Sequence, residues 1–285
     1  MILGLRLLTP LGASVLFAIA PALGADYDPP IVMEQPLQEV PVEIGNGWYL
    51  RGDIGYNVSA EPDGAIDFSA YSPVTGIYSP DTFDSVSFGE GMTFSGGFGY
   101  NFTDMFRADF TVDGFRMPFD ATRSSAAPCV SPAVNPAYFG TGCRFEDGAS
   151  ASAIGLMVNG YVDLGTYVGF TPYVGAGVGY TYVDWSSLGS TGFCTGSCPG
   201  SGPTGSVTSE GEQSWRFTYA AMAGVAYDIT SNLKIDVGYR YRQIDSGPMF
   251  TYVPSPLDVG STGVDGDDTG FTTHEVRVGL RYSLW

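Results

Sequence analysis

The sequence predicts an all-β fold: an eight-stranded antiparallel up-and-down transmembrane β-barrel with long outer loops. Three observations carry this expectation. Apolar and polar residues alternate with period two over eight segments, as they do in strands with two different faces. Charged residues share one strand face, and the other face is apolar. The connections alternate between a few residues and a few dozen, the spacing of a membrane barrel with short inner turns and long outer loops.

The first strand is read at Trp48–Val58, with Leu50, Ile54 and Tyr56 on one face and Arg51, Asp53 and Asn57 on the other. The second, Val86–Asn101, sets Met92, Phe94, Phe98 and Tyr100 against Thr93, Ser95, Gly97 and Gly99. The third, Phe106–Phe115, alternates Phe106, Ala108, Phe110 and Val112 with Arg107, Asp109, Thr111 and Asp113. The fourth, Ser152–Leu164, sets Ile154, Leu156 and Val158 against Asn159, Tyr161 and Asp163. The fifth, Tyr167–Asp184, sets Val174, Val178 and Tyr180 against Tyr173, Gly175, Gly177 and Gly179. The sixth, Trp215–Ile229, opposes Phe217 and Tyr219 to Arg216 and Thr218. The seventh, Leu233–Ile244, opposes Val237, Tyr239 and Tyr241 to Lys234, Asp236, Arg240 and Arg242. The eighth, Thr272–Trp285, opposes Val276, Val278 and Leu280 to Glu275, Arg277 and Arg281.

Short turns follow strands two, four and six, at Phe102–Asp104, Gly165–Thr166 and Thr230–Asn232. The long connections are Ser59–Ser85, Arg116–Ala151, Trp185–Ser214 and Asp245–Phe271. They are read as structureless, which would count against a compact soluble domain. Ile66, Phe68 and Ala70 alternate weakly in the first of them, as a loop strand above the membrane or as part of an extra hairpin. A soluble β-sandwich would scatter its charges over a water-facing surface. Here the apolar face also carries aromatics near strand ends, at Trp48, Tyr100, Phe106, Tyr167, Tyr227 and Tyr239, the places of a lipid-facing girdle.

Residues 1–24 read as a signal peptide: Arg6 precedes an apolar stretch that ends in small residues. Residues 25–45 form an acidic, Pro-containing periplasmic tail, and residues 46–285 form the barrel. Export to the outer membrane of a Gram-negative cell is the expected destination. The compartment suits disulfides. Cys129, Cys143, Cys194 and Cys198 allow three pairings, of which pairing within each stretch is simplest.

The chain has 285 residues and a net charge of −18. Such a chain has no general attraction for nucleic acid. One histidine, His274, cannot build a multi-histidine metal site. His274 and Glu275 are adjacent in a strand, so they face opposite sides and do not form a catalytic pair. No catalytic residue, metal or cofactor is therefore expected. Asp265–Gly270 begins like a calcium loop, but Val276 stands where the pattern wants Glu, and a solvated acidic loop is expected.

The lumen is the chemistry-bearing site. An eight-stranded barrel is just wide enough for side chains to fill it. Seven acids and eight bases face inward. The expected network is Arg51, Asp53, Arg107, Asp109, Asp113, Arg216, Asp236, Arg240, Arg242, Glu275, Arg277 and Arg281, paired between neighbouring strands. Gly175, Gly177 and Gly179 leave room for long neighbours such as Tyr161 or Arg216. This makes the lumen a structural plug; an ion-conducting pore is the alternative. Apart from five acids in the tail and Asp104 in the first short turn, the remaining acids form an anionic crown in the outer connections. The expected partners are membrane lipid, lipopolysaccharide bridged by divalent cations, and the barrel-assembly machinery. A host or surface ligand would meet the outer loops.

The runs GWYLRGDIGYN at Gly47–Asn57, LKIDVGYRYR at Leu233–Arg242 and HEVRVGLRYSLW at the end resemble the small outer-membrane β-barrel proteins of alphaproteobacteria. These are similar to the opacity-protein and OmpA membrane-domain group. The resemblance implies envelope integrity, surface antigenicity and host or surface contact, with haem binding in some members. Tyr71, Tyr78, Tyr138 and Tyr252 are the loop tyrosines to consider for haem. Two features depart from the group. Leu284 rather than Trp285 holds the outward phase at the C-terminus, and no peptidoglycan-binding domain follows.

Overall fold

The computed structural model describes residues 47–284 apart from 65, 73–76, 127, 131 and 252–263. The expected signal peptide and tail, Tyr252 and Trp285 lie outside the described residues. So do the side chains of Tyr71, Tyr78 and Asp265.

The described residues form fifteen strands and a single 3-10 turn. The strands are β1 (Trp48–Pro62), β2 (Asp67–Ser72), β3 (Ile77–Asp81), β4 (Ser85–Phe88), β5 (Gly91–Asn101) and β6 (Phe106–Ser125). They continue as β7 (Gly142–Asp163), β8 (Phe170–Trp185), β9 (Leu188–Thr195), β10 (Pro203–Gly211) and β11 (Gln213–Asp228). The last are β12 (Leu233–Ile244), β13 (Gly247–Thr251), β14 (Val264–Asp268) and β15 (Phe271–Ser283). Eight of them pair antiparallel in a closed cycle, β1–β5–β6–β7–β8–β11–β12–β15 and back to β1. Closure leaves no open edge in that ring, as a lipid environment requires. These are the eight segments read from the sequence, with shifted ends. The second segment is divided, because Gly89 and Glu90 separate β4 from β5. β2 lies outside the ring, between β14 and β3.

The outward face of the ring is apolar over a bounded height. On β15 the outward residues from His274, bonded to Tyr239, to Tyr282 are eight residues apart. At a rise of about 3.3 Å per residue and a tilt near 40°, this is roughly 20 Å of barrel height, close to the lipid-facing band of about 25 Å. The rim at the short turns carries Trp48 against Tyr100 (5.3 Å) and Phe170 against Tyr227 (4.7 Å). The opposite rim carries Tyr182 against Trp215 (5.3 Å).

The long connections are not structureless, which corrects the sequence reading. β6 and β7 continue as one hairpin far beyond the band, paired from Phe106↔Val162 to Ser125↔Cys143. Above Ala151↔Trp185, β7 exchanges its partner β8 for β9, beginning at Gly148↔Gly189. The strands β4–β6–β7–β9–β10–β13–β14–β2–β3 then form an upper sheet. The turn between β7 and β8 is also wider than expected. It occupies residues 164–169, with Gly165 and Gly169 at positive φ.

The alternation continues into this upper storey, but its polarity inverts. On β6 the inward positions Arg107, Asp109, Thr111 and Asp113 are followed, on the same face, by Phe115, Met117, Phe119 and Ala121. The outward positions change in step, from Phe106, Phe110 and Val112 to Arg116, Asp120 and Thr122. The surroundings explain the change. Inside lipid the wall is apolar outside and polar within, whereas above lipid water bathes the wall and the interior becomes the hydrophobic core. Phe88, Phe119, Trp185, Phe250 and Phe271 pack together there, with ring centroids 5.5–6.3 Å apart in their contacts.

Candidate functional site: the charged lumen

All twelve residues expected in the lumen are buried. They fall into three levels. Nearest the short-turn rim, Arg107 Nε donates to both oxygens of Asp163 at 3.2 Å. Its guanidinium lies 3.8 Å from the Tyr161 ring and 4.9 Å from that of Tyr173. Arg281 Nε is 3.8 Å from Asp236 Oδ2, and Tyr173 Oη donates to Asp236 at 3.2 Å. Lys234 meets Asp228 at 2.6 Å on the half-exposed rim.

At the next level Arg51 holds Asp53 at 2.6 Å, Asp109 at 2.7 Å and the Tyr161 hydroxyl at 2.8 Å. Asn159 donates to Asp109 at 2.8 Å, and Tyr49 donates to it at 3.1 Å. Arg277 lies here without an ion pair among the described residues; its Nη2 rests 3.3 Å from the Met222 sulfur.

Above them, Arg240 and Arg242 share Asp113 and Glu275. Arg240 is 3.1 Å from Asp113 and 2.6 Å from Glu275. Arg242 is 2.9 Å and 3.5 Å from the same two carboxylates. The four side chains are at most 3 % exposed.

Two features differ from the expectation. Pairing does not stay between neighbouring strands. Asp113 on β6 meets Arg240 and Arg242 on β12, four places away round a ring of eight. An arginine side chain spans the narrow lumen, so carboxylates on the far wall are within reach. Arg216 also belongs higher up. Its Nη1 is 2.5 Å from Asp268 Oδ2, and its Nη2 donates to the Pro248 carbonyl at 2.8 Å. Asp268 was expected in a solvated loop, yet it is buried and also accepts from Gly270 N. Adding Asp268 to the seven inward acids matches the eight inward bases. Burial holds the Asp268 carboxyl above its ordinary range, against the pull of Arg216.

The glycine expectation holds for one neighbour. A side-chain carbon at Gly175 would lie 2.5 Å from the Tyr161 ring. The room for Arg216 is made instead by Gly247, where such a carbon would lie 2.7 Å from Nε. The upper apolar core was not foreseen. Its signal was the inverted alternation Phe115–Arg116–Met117–Pro118–Phe119–Asp120.

His274 sits on the outer wall, its Nδ1 bonded to the Tyr239 hydroxyl, while Glu275 points inward to Arg240. Among the described residues, no three His, Cys, Asp or Glu side chains are grouped to hold a metal. Both disulfides join cysteines within a stretch, Cys129–Cys143 and Cys194–Cys198.

A closed antiparallel ring with an apolar girdled exterior and an ion-paired interior defines a β-barrel of the outer membrane. The chain belongs to the outer membrane protein beta-barrel domain family, whose model matches residues 38–283. This places it in the outer membrane of Gram-negative bacteria. It is 36% identical to an uncharacterized protein of Brucella abortus, over 94% of each chain. It is 25% identical to a candidate adhesin of Rickettsia typhi, over 85% of this chain and 89% of that one. It is 31% identical to an opacity protein of Neisseria gonorrhoeae, over 48% of this chain and 56% of that one.

Proposed function

We propose that this protein is an eight-stranded, non-enzymatic outer-membrane barrel with a sealed lumen. It maintains the envelope and displays its outer hairpins for surface contact. The observation that carries this reading is the filled interior. Ion pairs cross the lumen at Asp113, Arg240 and Arg242, and an aromatic core closes the storey above. A wide water-filled passage has no place in such a ring, because larger barrels are needed to leave an aqueous channel. Acidic residues at the lipid boundary, among them Glu90 and Asp184, favour lipopolysaccharide bridged through divalent cations. Folding into the membrane then depends on the barrel-assembly machinery.

Planar-bilayer recording of the refolded chain tests the seal. Wild type should give no steady unitary conductance. A well-defined conductance that changes in Arg240→Ala would replace the plug with a narrow pore. Contact through the outer hairpins is supported by their length and by likeness to the Rickettsia protein. Cells displaying a variant shortened between Arg116 and Ser152 should adhere less than wild type to host cells. Equal adhesion would rule the contact role out.

A further inference from the structure

The summit of the molecule has a composition unlike the rest of the outer connections. From Ser124 to Cys143 there is no charged residue. From Trp185 to Ser209 there is none either. The two segments meet in the structure, since Cys143 on β7 stands directly opposite Cys194 on β9. Each is closed by its own disulfide. The acids lie lower, at Glu90, Asp120, Asp184, Glu210 and Glu212, and the last charges below the summit, Arg144 and Glu146, pair at 2.6 Å. Among the described residues the crown is therefore acidic at its base and neutral on top.

The first tip presents large apolar groups that nothing in the described chain covers. Phe139 is 84% exposed and Val134 80% exposed. Between them runs the 3-10 turn Pro136–Tyr138. Its backbone is internally bonded: Tyr138 N donates to Asn135 O (3.1 Å), Phe139 N to Pro136 O (3.1 Å) and Thr141 N to Tyr138 O (3.3 Å). Asn135 Oδ1 accepts from Ala137 N at 3.1 Å. A tip whose 3-10 turn is internally bonded, with no charge and an exposed phenylalanine, can enter a lipid interface with few polar groups stranded. The ten residues of β6 from Arg116 to Ser125 carry it roughly 20 Å or more beyond the lipid band, at the usual strand rise and barrel tilt.

We propose that this neutral, disulfide-closed summit is a contact surface for the zwitterionic leaflet of a facing membrane. Phe139 and Val134 enter the interface, and Tyr138 lies at headgroup level. At about 10 mM salt, where the screening length is roughly 30 Å, the acidic base repels anionic lipid and so sets the preference for uncharged headgroups. One tip binds weakly, and many barrels on one cell surface supply the avidity. This inference deepens the surface-contact reading and rests on the long hairpins facing outward.

The test uses the full chain in nanodiscs, mixed with phosphatidylcholine vesicles that carry a doxyl-labelled acyl chain. In Phe139→Trp, the emission added to that of wild type should be quenched by the vesicles. Co-flotation with unlabelled vesicles should fall roughly fivefold or more when Phe139 and Val134 are both changed to Ser, since binding scales with buried apolar area. At about 10 mM salt, phosphatidylserine vesicles should bind less than phosphatidylcholine. Absence of quenching overturns the inference and turns the search to a protein with an apolar groove. Equal binding of both lipids overturns the charge argument. Labelling of the tip on intact cells by an impermeant reagent separates these failures from that of the outward-facing reading, because nanodiscs expose the tip in either orientation.

Discussion

Asp113 is the position where the lumen is most sensitive to a single charge. Its carboxylate stands 3.1 Å from Arg240 and 2.9 Å from Arg242, and it is fully enclosed. Asp113→Asn keeps the shape and removes the charge. Arg240 and Arg242 then share Glu275 alone, and one buried positive charge is uncompensated. Breaking a buried pair by removing one partner costs about 3–5 kcal/mol. At about 1.4 kcal/mol per decade, the folding equilibrium should shift by roughly two to four decades. Combining Asp113→Asn with Arg242→Met restores neutrality and keeps an apolar contact with Phe115, over whose ring Arg242 lies at 4.8 Å. The double variant should recover about 2 kcal/mol or more, because the two sites are coupled. Urea unfolding of the vesicle-refolded barrel, followed by tryptophan emission and by heat-modifiable gel mobility, measures all three proteins. If Asp113→Asn lies within about 1 kcal/mol of wild type, the lumen tolerates the unpaired arginine and Asp113 is not its essential counter-ion. If the double variant is weaker than the single, charge balance is not what the site maintains.

Reduction of Cys129–Cys143 opens a 14-residue closure worth roughly 3 kcal/mol on the chain-entropy model. The loss should stay local: hydrogen exchange should rise over residues 126–145, while the barrel ring keeps its heat-modifiable mobility. Burial holds the Asp147 and Asp268 carboxyls above their ordinary range, outweighing Arg123 and Arg216. Both groups favour folding most below the unfolded carboxylate pKa, near 4, and that contribution fades as pH rises through their raised folded values. Exchange in the upper storey, corrected for intrinsic rate, should therefore be slower at mildly acidic than at neutral pH; faster exchange would contradict the assignment. A side-chain carbon at Gly177 would lie 2.1 Å from Asn159 Oδ1 and 3.3 Å from the Val158 carbonyl, so Gly177→Val should sharply lower the refolded yield judged by gel mobility.

The sequence by itself determined the wall. A strand sends alternate side chains to opposite faces, so Trp48–Val58 or Leu233–Ile244 declares both its lipid side and its lumen side without knowledge of any partner. The inward set of charges was legible for the same reason, and the family runs pointed to the same membrane. Which charges meet was not legible. Asp113 and Arg240 are 127 residues apart, and only closure of the ring sets them across one narrow lumen. The eighth carboxylate, Asp268, looked like a loop acid because nothing local reveals that β14 folds down over Arg216. The upper storey was half legible. Phe115 to Ala121 already alternate in the inverted phase, but a phase inversion has meaning only once the height of the lipid boundary is known. Tertiary structure decided that height, because eight tilted strands must leave the bilayer together. Beyond that level water exchanges the roles of the two faces, and the core moves from the outside of the wall to its inside.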